Sequence, residues 1–275
     1  NKTTAATSSP MLDPRELTAP FRMQPGLRRV SAPECRLTPL AAGSALHAEK
    51  QRVIQAGEAV VSVPGIDPQP AIEVIAAYAD LARAGGEFHS ATRLALAVQE
   101  DWAILEGATG TVPWMCVCAP SHWAPEDKVG RTLAAIHAPV ADGAALQAAQ
   151  GPLVRLVTSG EHWERHVWTV TSSARFDQHP RRWPRTPWPC TTDAAAFAQA
   201  CHWRTERQTF IPVPGTSQAV FAIRVEVAPL TRAVSNRDQA QALHASLASM
   251  SEAVLTYKNL SEARAPLQRW LEGFR

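Results

Sequence analysis

The stretch Arg204–Val227, RTERQTFIPVPGTSQAVFAIRVEV, holds two alternating runs joined by the connection Pro212–Ser217. Successive side chains of a strand point to opposite faces. The first run therefore sets Arg204, Glu206 and Gln208 on one face and Thr205, Arg207 and Thr209 on the other. In the second, Val220 and Ala222 alternate with Phe221 and Ile223. The pair reads as an antiparallel hairpin. Polar side chains on both faces of an internal strand are costly unless each finds a partner. The first strand is thus the best physical pointer to a binding site.

Outward from the hairpin, the remaining segments sort by period. Residues 44–56 predict a helix with Gly57 near its end. Pro70 to Ala84 predicts another, with Ile72, Val74, Ile75, Tyr78 and Leu81 at helical spacing and Gly85-Gly86 ending it. Arg93–Val98 and Ala103–Leu105 read as strand material interrupted at Glu100-Asp101. A turn over Gly107–Gly110 leads into a strand at Val112–Cys118. Asp142–Gln150 reads as a short helix ended by Gly151-Pro152, with strands at Leu153–Val157 and His166–Thr171. Asn236–Met250 is amphipathic, its stripe being Ala240, Leu243, Leu247 and Met250, and two more helical segments follow. Segregated elements with hairpin-like connections predict an α+β fold with an antiparallel sheet. Residues 1–19 read as a flexible tail and 20–275 as a single domain. Arg175–Pro189, with four prolines, four arginines and two tryptophans, reads as an ordered surface loop.

Composition narrows the function. The net charge of the 275 residues is only +2, without a Lys/Arg block, which argues against nucleic acid as a partner. No apolar run reaches the ~18 residues of a membrane span. The N-terminus lacks the basic-then-apolar layout of a signal peptide, so a cytoplasmic location is expected. Five irregularly spaced cysteines do not make a disulfide framework. Nine tryptophans against two tyrosines would suit the walls of a large planar ligand.

The segment Trp114–Val140 concentrates the chemistry. Pro125 can open a helix, and Glu126 and Asp127 suit its first turn. Val129, Leu133 and Ile136 would form one apolar face, while Gly130, Ala134 and His137 would share a second. Pro139 should stop the helix near His137. His137 has two readings, a core or capping histidine and an axial ligand to haem iron. Spacing does not decide between them. Cys116, Cys118, His122 and His137 raise a zinc site, but the second ligand pair of a structural zinc site is missing. His162 and His166 sit among tryptophans and read as stacking or solvated residues. Gly-x-Ser-x-Gly, His-Glu-x-x-His, phosphate-loop and dinucleotide glycine patterns are all absent.

Taken together, five stretches resemble the haem subunit of the haem-dependent oxidative N-demethylases, or dimethylamine monooxygenases. They are Phe21-Arg22-Met23-x-Pro25-Gly26-Leu27; Gln99-Glu100-Asp101; Cys116-Val117-Cys118-x-Pro120-Ser121-x-Trp123 with Lys128-x-Gly130-Arg131-x-Leu133-x-x-Ile136-His137-x-Pro139-Val140; Arg204-x-Glu206-Arg207-Gln208-Thr209, continuing through Pro214, Thr216, Phe221 and Ile223; and Tyr257-Lys258-x-Leu260. The resemblance implies a PAS-like antiparallel sheet with helices on one side, helical additions at both ends, and haem b in the pocket. It implies oxygen-dependent oxidation of a secondary methylamine to a primary amine and formaldehyde. Electrons would come from a separate flavin and iron–sulfur component using NADPH. It makes His137 the expected iron ligand, with His122 as runner-up. Arg204, Arg207, Gln208, Trp123 and Lys128 become cofactor-binding candidates, and Glu100, Asp101 and Glu206 catalytic ones. Arg165-His166-Val167-Trp168 departs from the expected Arg-x-Asn-Trp, with Val167 in place of an amide. That departure keeps a haem-PAS sensor or carrier without turnover as the alternative.

Overall fold

The computed structural model describes residues 11–23, 26–81, 90–137 and 144–274, and for 144–147 the backbone alone. Its strands are β1 (Arg28–Val30), β2 (Val60–Ser62), β3 (Asp101–Glu106), β4 (Trp114–Cys116), β5 (His162–Thr171), β6 (His202–Pro212) and β7 (Gln218–Pro229). They make one sheet in the order β1-β5-β6-β7-β3-β4-β2, antiparallel at every pairing. The predicted hairpin is its centre. β6 and β7 pair from His202↔Pro229 to Pro212↔Ala219. Phe210 and Phe221 stack across it with centroids 4.8 Å apart, a cross-strand contact of the kind that holds register.

The sheet is covered on both faces, against the one-sided arrangement that the resemblance implies. On one face Trp102, Ile104, Trp114, Cys116, Ile211, Val220 and Ala222 pack under α1 (Ala45–Gln55), α2 (Gln69–Tyr78) and α3 (Ala91–Ala95). On the other, Ala103, Leu105, Met115 and Phe210 meet α4 (Leu133–His137) and α5 (Ala144–Val157). A further cluster joins Trp168, Val170 and Trp203 to α6 (Ala194–Gln199), α7 (Leu230–Ala233), α8 (Arg237–Ala248), α9 (Glu252–Tyr257) and α10 (Arg264–Leu271). The fold is α+β. Leu12 is buried in this last cluster and donates its N–H to Ala233 O, so this part of the segment read as a tail is docked. Residues 1–10 lie outside the described residues. Among the described residues no helix is long and apolar enough to cross a membrane.

Four local readings are corrected. α2 stops at Tyr78, before the Gly85-Gly86 pair, which lies outside the described residues. Asp80 takes φ +59 while Leu81 N–H bonds Ala76 O and Asp80 N–H bonds Ala77 O, a Schellman stop made by a non-glycine residue. Arg93–Val98, read as strand material, begins instead inside the helix α3, which spans Ala91–Ala95. α5 runs through Gly151-Pro152 to Val157, and the strand expected there does not form. Leu153, Val154 and Val157 are buried at helical rather than alternating spacing. Burying three such side chains at about 1.5–3 kcal/mol each exceeds the ~3 kcal/mol cost of an internal proline.

The helix expected from Pro125 to His137 is broken in two. A 3-10 turn covers Pro125–Asp127, and α4 begins only at Leu133. Gly130 between them has φ +79, donates to Val112 O, and leaves Arg131 O to accept from Val112 N–H. The chain thus pairs with the approach to β4 instead of continuing helically. A Cβ at Gly130 would lie 2.8 Å from Val63 Cγ1, in a backbone region that L residues avoid. Gly130→Ala is expected to destabilise the fold by about 1–3 kcal/mol, read as a lower denaturant midpoint with an unchanged slope.

Candidate functional site

Alternation along β6 puts Arg204, Glu206 and Gln208 on the α4–α5 face, with Phe210. The β5 register sets Thr169, Val167 and Arg165 beside them. A chain of hydrogen bonds runs across this floor. Arg165 Nε donates to Gln208 Oε1 at 2.5 Å, and Gln208 Nε2 donates to Glu206 Oε2 at 2.6 Å. Ser121 Oγ donates to Glu206 Oε1 and accepts from Arg204 Nε at 2.8 Å. Both Glu206 oxygens therefore meet neutral donors, and among the described residues the carboxylate has no cation within ion-pair distance.

Arg204 is 1 % exposed, and burial lowers its pKa to about 10. Its other nitrogens donate to Arg175 O and Ala119 O, each at 3.1 Å. It therefore clamps two loops onto the sheet. Asp101 completes the clamp from β3: its Oδ2 accepts Cys118 N–H at 2.9 Å and Ala119 N–H at 2.7 Å. Lys50, with no exposed surface, lies 3.1 Å from Asp101 Oδ1 and donates to Val98 O and Glu100 O. Glu100 accepts the N–H and Oγ1–H of Thr38, and burial raises its pKa. The structure thus keeps Glu100 and Asp101 apart from Glu206, in supporting positions. Arg207 points to the opposite face, where it pairs with Glu164 at 2.7 Å beside Arg28.

His137 ends α4 on the site face. Its Nδ1 lies 2.9 Å from Leu133 O, and the Gln150 side chain is a further hydrogen-bond partner of the ring. Burial, then the charge of Arg165, lowers its pKa to about 4. A neutral ring with Nδ1–H donating to a carbonyl carries its lone pair on Nε2, the arrangement of a metal-ligating histidine. Lys128 Nζ lies 5.7 Å from the Trp123 ring centroid, and the Lys128 charge also reaches His137. A planar indole, two nearby cations and a neutral imidazole are the donor set that a planar, carboxylate-bearing cofactor needs. His122 takes φ +61, and its pKa is lowered to about 4 by burial, then by Arg185 and Arg204.

Cys116 and Cys118 are buried in the cluster on the other face of the sheet, away from His137. Among the described residues no group of three His, Cys, Asp or Glu could hold a metal ion. Sequence reasoning missed three contributors: Arg165, Ser121 and Lys258. Lys258 donates to Trp168 O at 2.9 Å, and burial lowers its pKa to about 8 against the charge of Glu206. All three lay in stretches already singled out, but only the fold shows that they converge.

Residues 79–268, more than half of the chain, match a family model described as haem-dependent oxidative N-demethylase, alpha subunit-like.

Removing one partner of a buried ion pair leaves the other uncompensated. Lys50→Met should therefore cost about 3–5 kcal/mol and loosen the Cys118–Ser121 segment. Chemical denaturation and amide exchange at Cys118 and Ala119 check this.

Proposed function

Because the chain belongs to the haem-dependent oxidative N-demethylase alpha-subunit-like family, we propose that it is the haem-binding subunit of an oxygen-dependent N-demethylase acting on a secondary methylamine. The observation that carries this reading is His137: a neutral imidazole whose Nδ1 is taken by Leu133 O and whose Nε2 would hold the iron of haem b, the ring's contact with Gln150 giving way to it. The same reading takes the sheet as a PAS-like core. When bound, the haem supplies the activation of dioxygen by which a methyl group leaves as formaldehyde.

The chain's own residues do the rest. Arg165 and Lys128, the cations that act on His137, suit the haem propionates. Trp123 offers a flat apolar wall. Arg204 is a weaker candidate for the propionates, because the protein already takes its hydrogen bonds. Glu206, whose hydrogen bonds among the described residues come from Ser121 and Gln208, is the group to bind and orient the substrate ammonium. A separate flavin and iron–sulfur component using NADPH would deliver the electrons.

Val167 supports a second reading. It lies directly across from Glu206 in the β5–β6 register, where the resemblance expects an amide. A missing amide beside Glu206 fits a haem-PAS sensor or carrier without turnover.

Haem-loaded protein should show a Soret band that His137→Ala abolishes or shifts and that His122→Ala retains. A protein that takes up no haem on reconstitution overturns both readings. Formaldehyde released from dimethylamine by reduced holoprotein in oxygen separates turnover from sensing. Glu206→Gln should raise the KM for the amine about tenfold, the equivalent of one charge-assisted contact of roughly 1.4 kcal/mol.

A further inference from the structure

Beside the floor just described, a cavity of about 180 Å³ opens under the Pro/Trp/Arg-rich loop, walled by His122, Ser173, Arg175, Gln178, Trp183 and Thr186. A narrower space continues past His122 to Arg185 and Lys258. No acidic residue lines either space, among the described residues. Three cations do. The Arg175 guanidinium stacks 3.5 Å from the Trp183 ring centroid, Lys258 bonds a carbonyl, and Arg185 makes no ion pair with a described residue. Cations gathered without a carboxylate, in a partly desolvated space, favour an anion.

The cavity is a built site. Trp183 is fixed by its Nε1–H on Asp177 Oδ2 at 3.0 Å, and Asp177 is itself held by Arg182. His122 sits at φ +61, a left-handed backbone that non-glycine residues adopt where the surroundings impose it. Its ring borders both spaces, and its neighbour Ser121 bonds Glu206. Arg204 ties the floor to this wall through Arg175 O. One end of the site therefore carries a carboxylate hydrogen-bonded by neutral donors, with Arg165, Arg204 and Lys258 acting on it through space, and the adjoining end is lined by cations and by no carboxylate among the described residues.

We propose that the substrates of this chain are N-methylated amino acids: Glu206 takes the secondary ammonium, and the carboxylate is taken by Arg175 in the cavity, with Arg185 and Lys258 supporting it from the narrower space beyond His122. This rests on the demethylase reading. It also separates two sets of cations. Arg165 and Lys128 act on His137 and suit the haem, whereas Arg185 acts on His122 and serves the substrate. In the reaction the N-methyl carbon is oxidised to formaldehyde. One oxygen atom of dioxygen enters that formaldehyde and the other leaves as water. Two electrons from the reductase component and two protons balance the equation, and the amine nitrogen keeps its pair as the primary amino acid.

The test is calorimetric titration of haem-loaded protein with N-methylglycine and with dimethylamine, followed by a formaldehyde assay with each. N-methylglycine should bind at least tenfold tighter than dimethylamine. Arg185→Gln and Arg175→Gln should each lower that ratio at least fivefold, whereas Arg175→Lys, which keeps the charge, should largely restore it. Thermal midpoints identify any variant that merely unfolds, and the exposed Arg185 is the position least coupled to folding. Equal affinity for the two amines overturns the proposal, as does an unchanged ratio in the charge variants. Loss of the Soret band in Arg185→Gln also overturns it, since the cations would then serve the haem. The expected binding pattern with no formaldehyde from either amine would defeat the demethylase reading and leave the carboxylate site standing.

Discussion

A guanidinium buried in the middle of a β-sheet has to satisfy its donors there, and Arg204 does so by reaching out of the sheet to Ala119, Ser121 and Arg175. Desolvating such a charge without partners would cost several kcal/mol. The hydrogen bonds that offset this cost also fix two loops. The Cys118–Ser121 segment is caught between Arg204 from β6 and Asp101 from β3. The loop from Arg175 is held to the same sheet through its carbonyl. The position of Ser121, and through it the orientation of Glu206, follows from that one buried cation.

The electrostatics of the site follow from the same arrangement. Asp101, Asp177 and Glu49 all lie near enough to act on Arg204, yet each is engaged by backbone N–H groups or by its own cation. Glu206 differs, because its hydrogen bonds come from neutral donors while Arg165, Arg204 and Lys258 act on it only through space. Burial lowers the affinity of His122 and His137 for protons, so both rings are neutral near pH 7 and can act as acceptors or ligands. A site with one carboxylate bonded by neutral donors, two neutral imidazoles and surrounding cations is built to orient a small charged molecule.

The fold was legible where a single period ruled. The β6–β7 hairpin, α1 and the stripe of α8 are read directly from spacing, because each carries its period and its end signals within one short window of sequence. Reading failed where the backbone was decided by something distant. Gly130 breaks a helix because its neighbours pair with Val112, and Pro152 stays inside a helix because Leu153, Val154 and Val157 reach the sheet. Asp80 ends α2 in a conformation more often left to glycine.

The site divides the same way. Sequence alone determined that Arg204, Glu206 and Gln208 share a face, that these polar groups demand partners, and that His137 belongs to a segment dense in chemistry. Alternation and desolvation are local properties of the chain, so no fold was needed to infer them. Only the tertiary structure decided who the partners are. It paired Arg207, on the far face by alternation, with Glu164, gave Asp101 to Lys50 and the Cys118–Ala119 amides, and brought Arg165, Ser121 and Lys258 to Glu206. These are contacts between residues tens of positions apart. They depend on strand register and loop closure, which the energy of the whole sheet selects and no window of sequence contains.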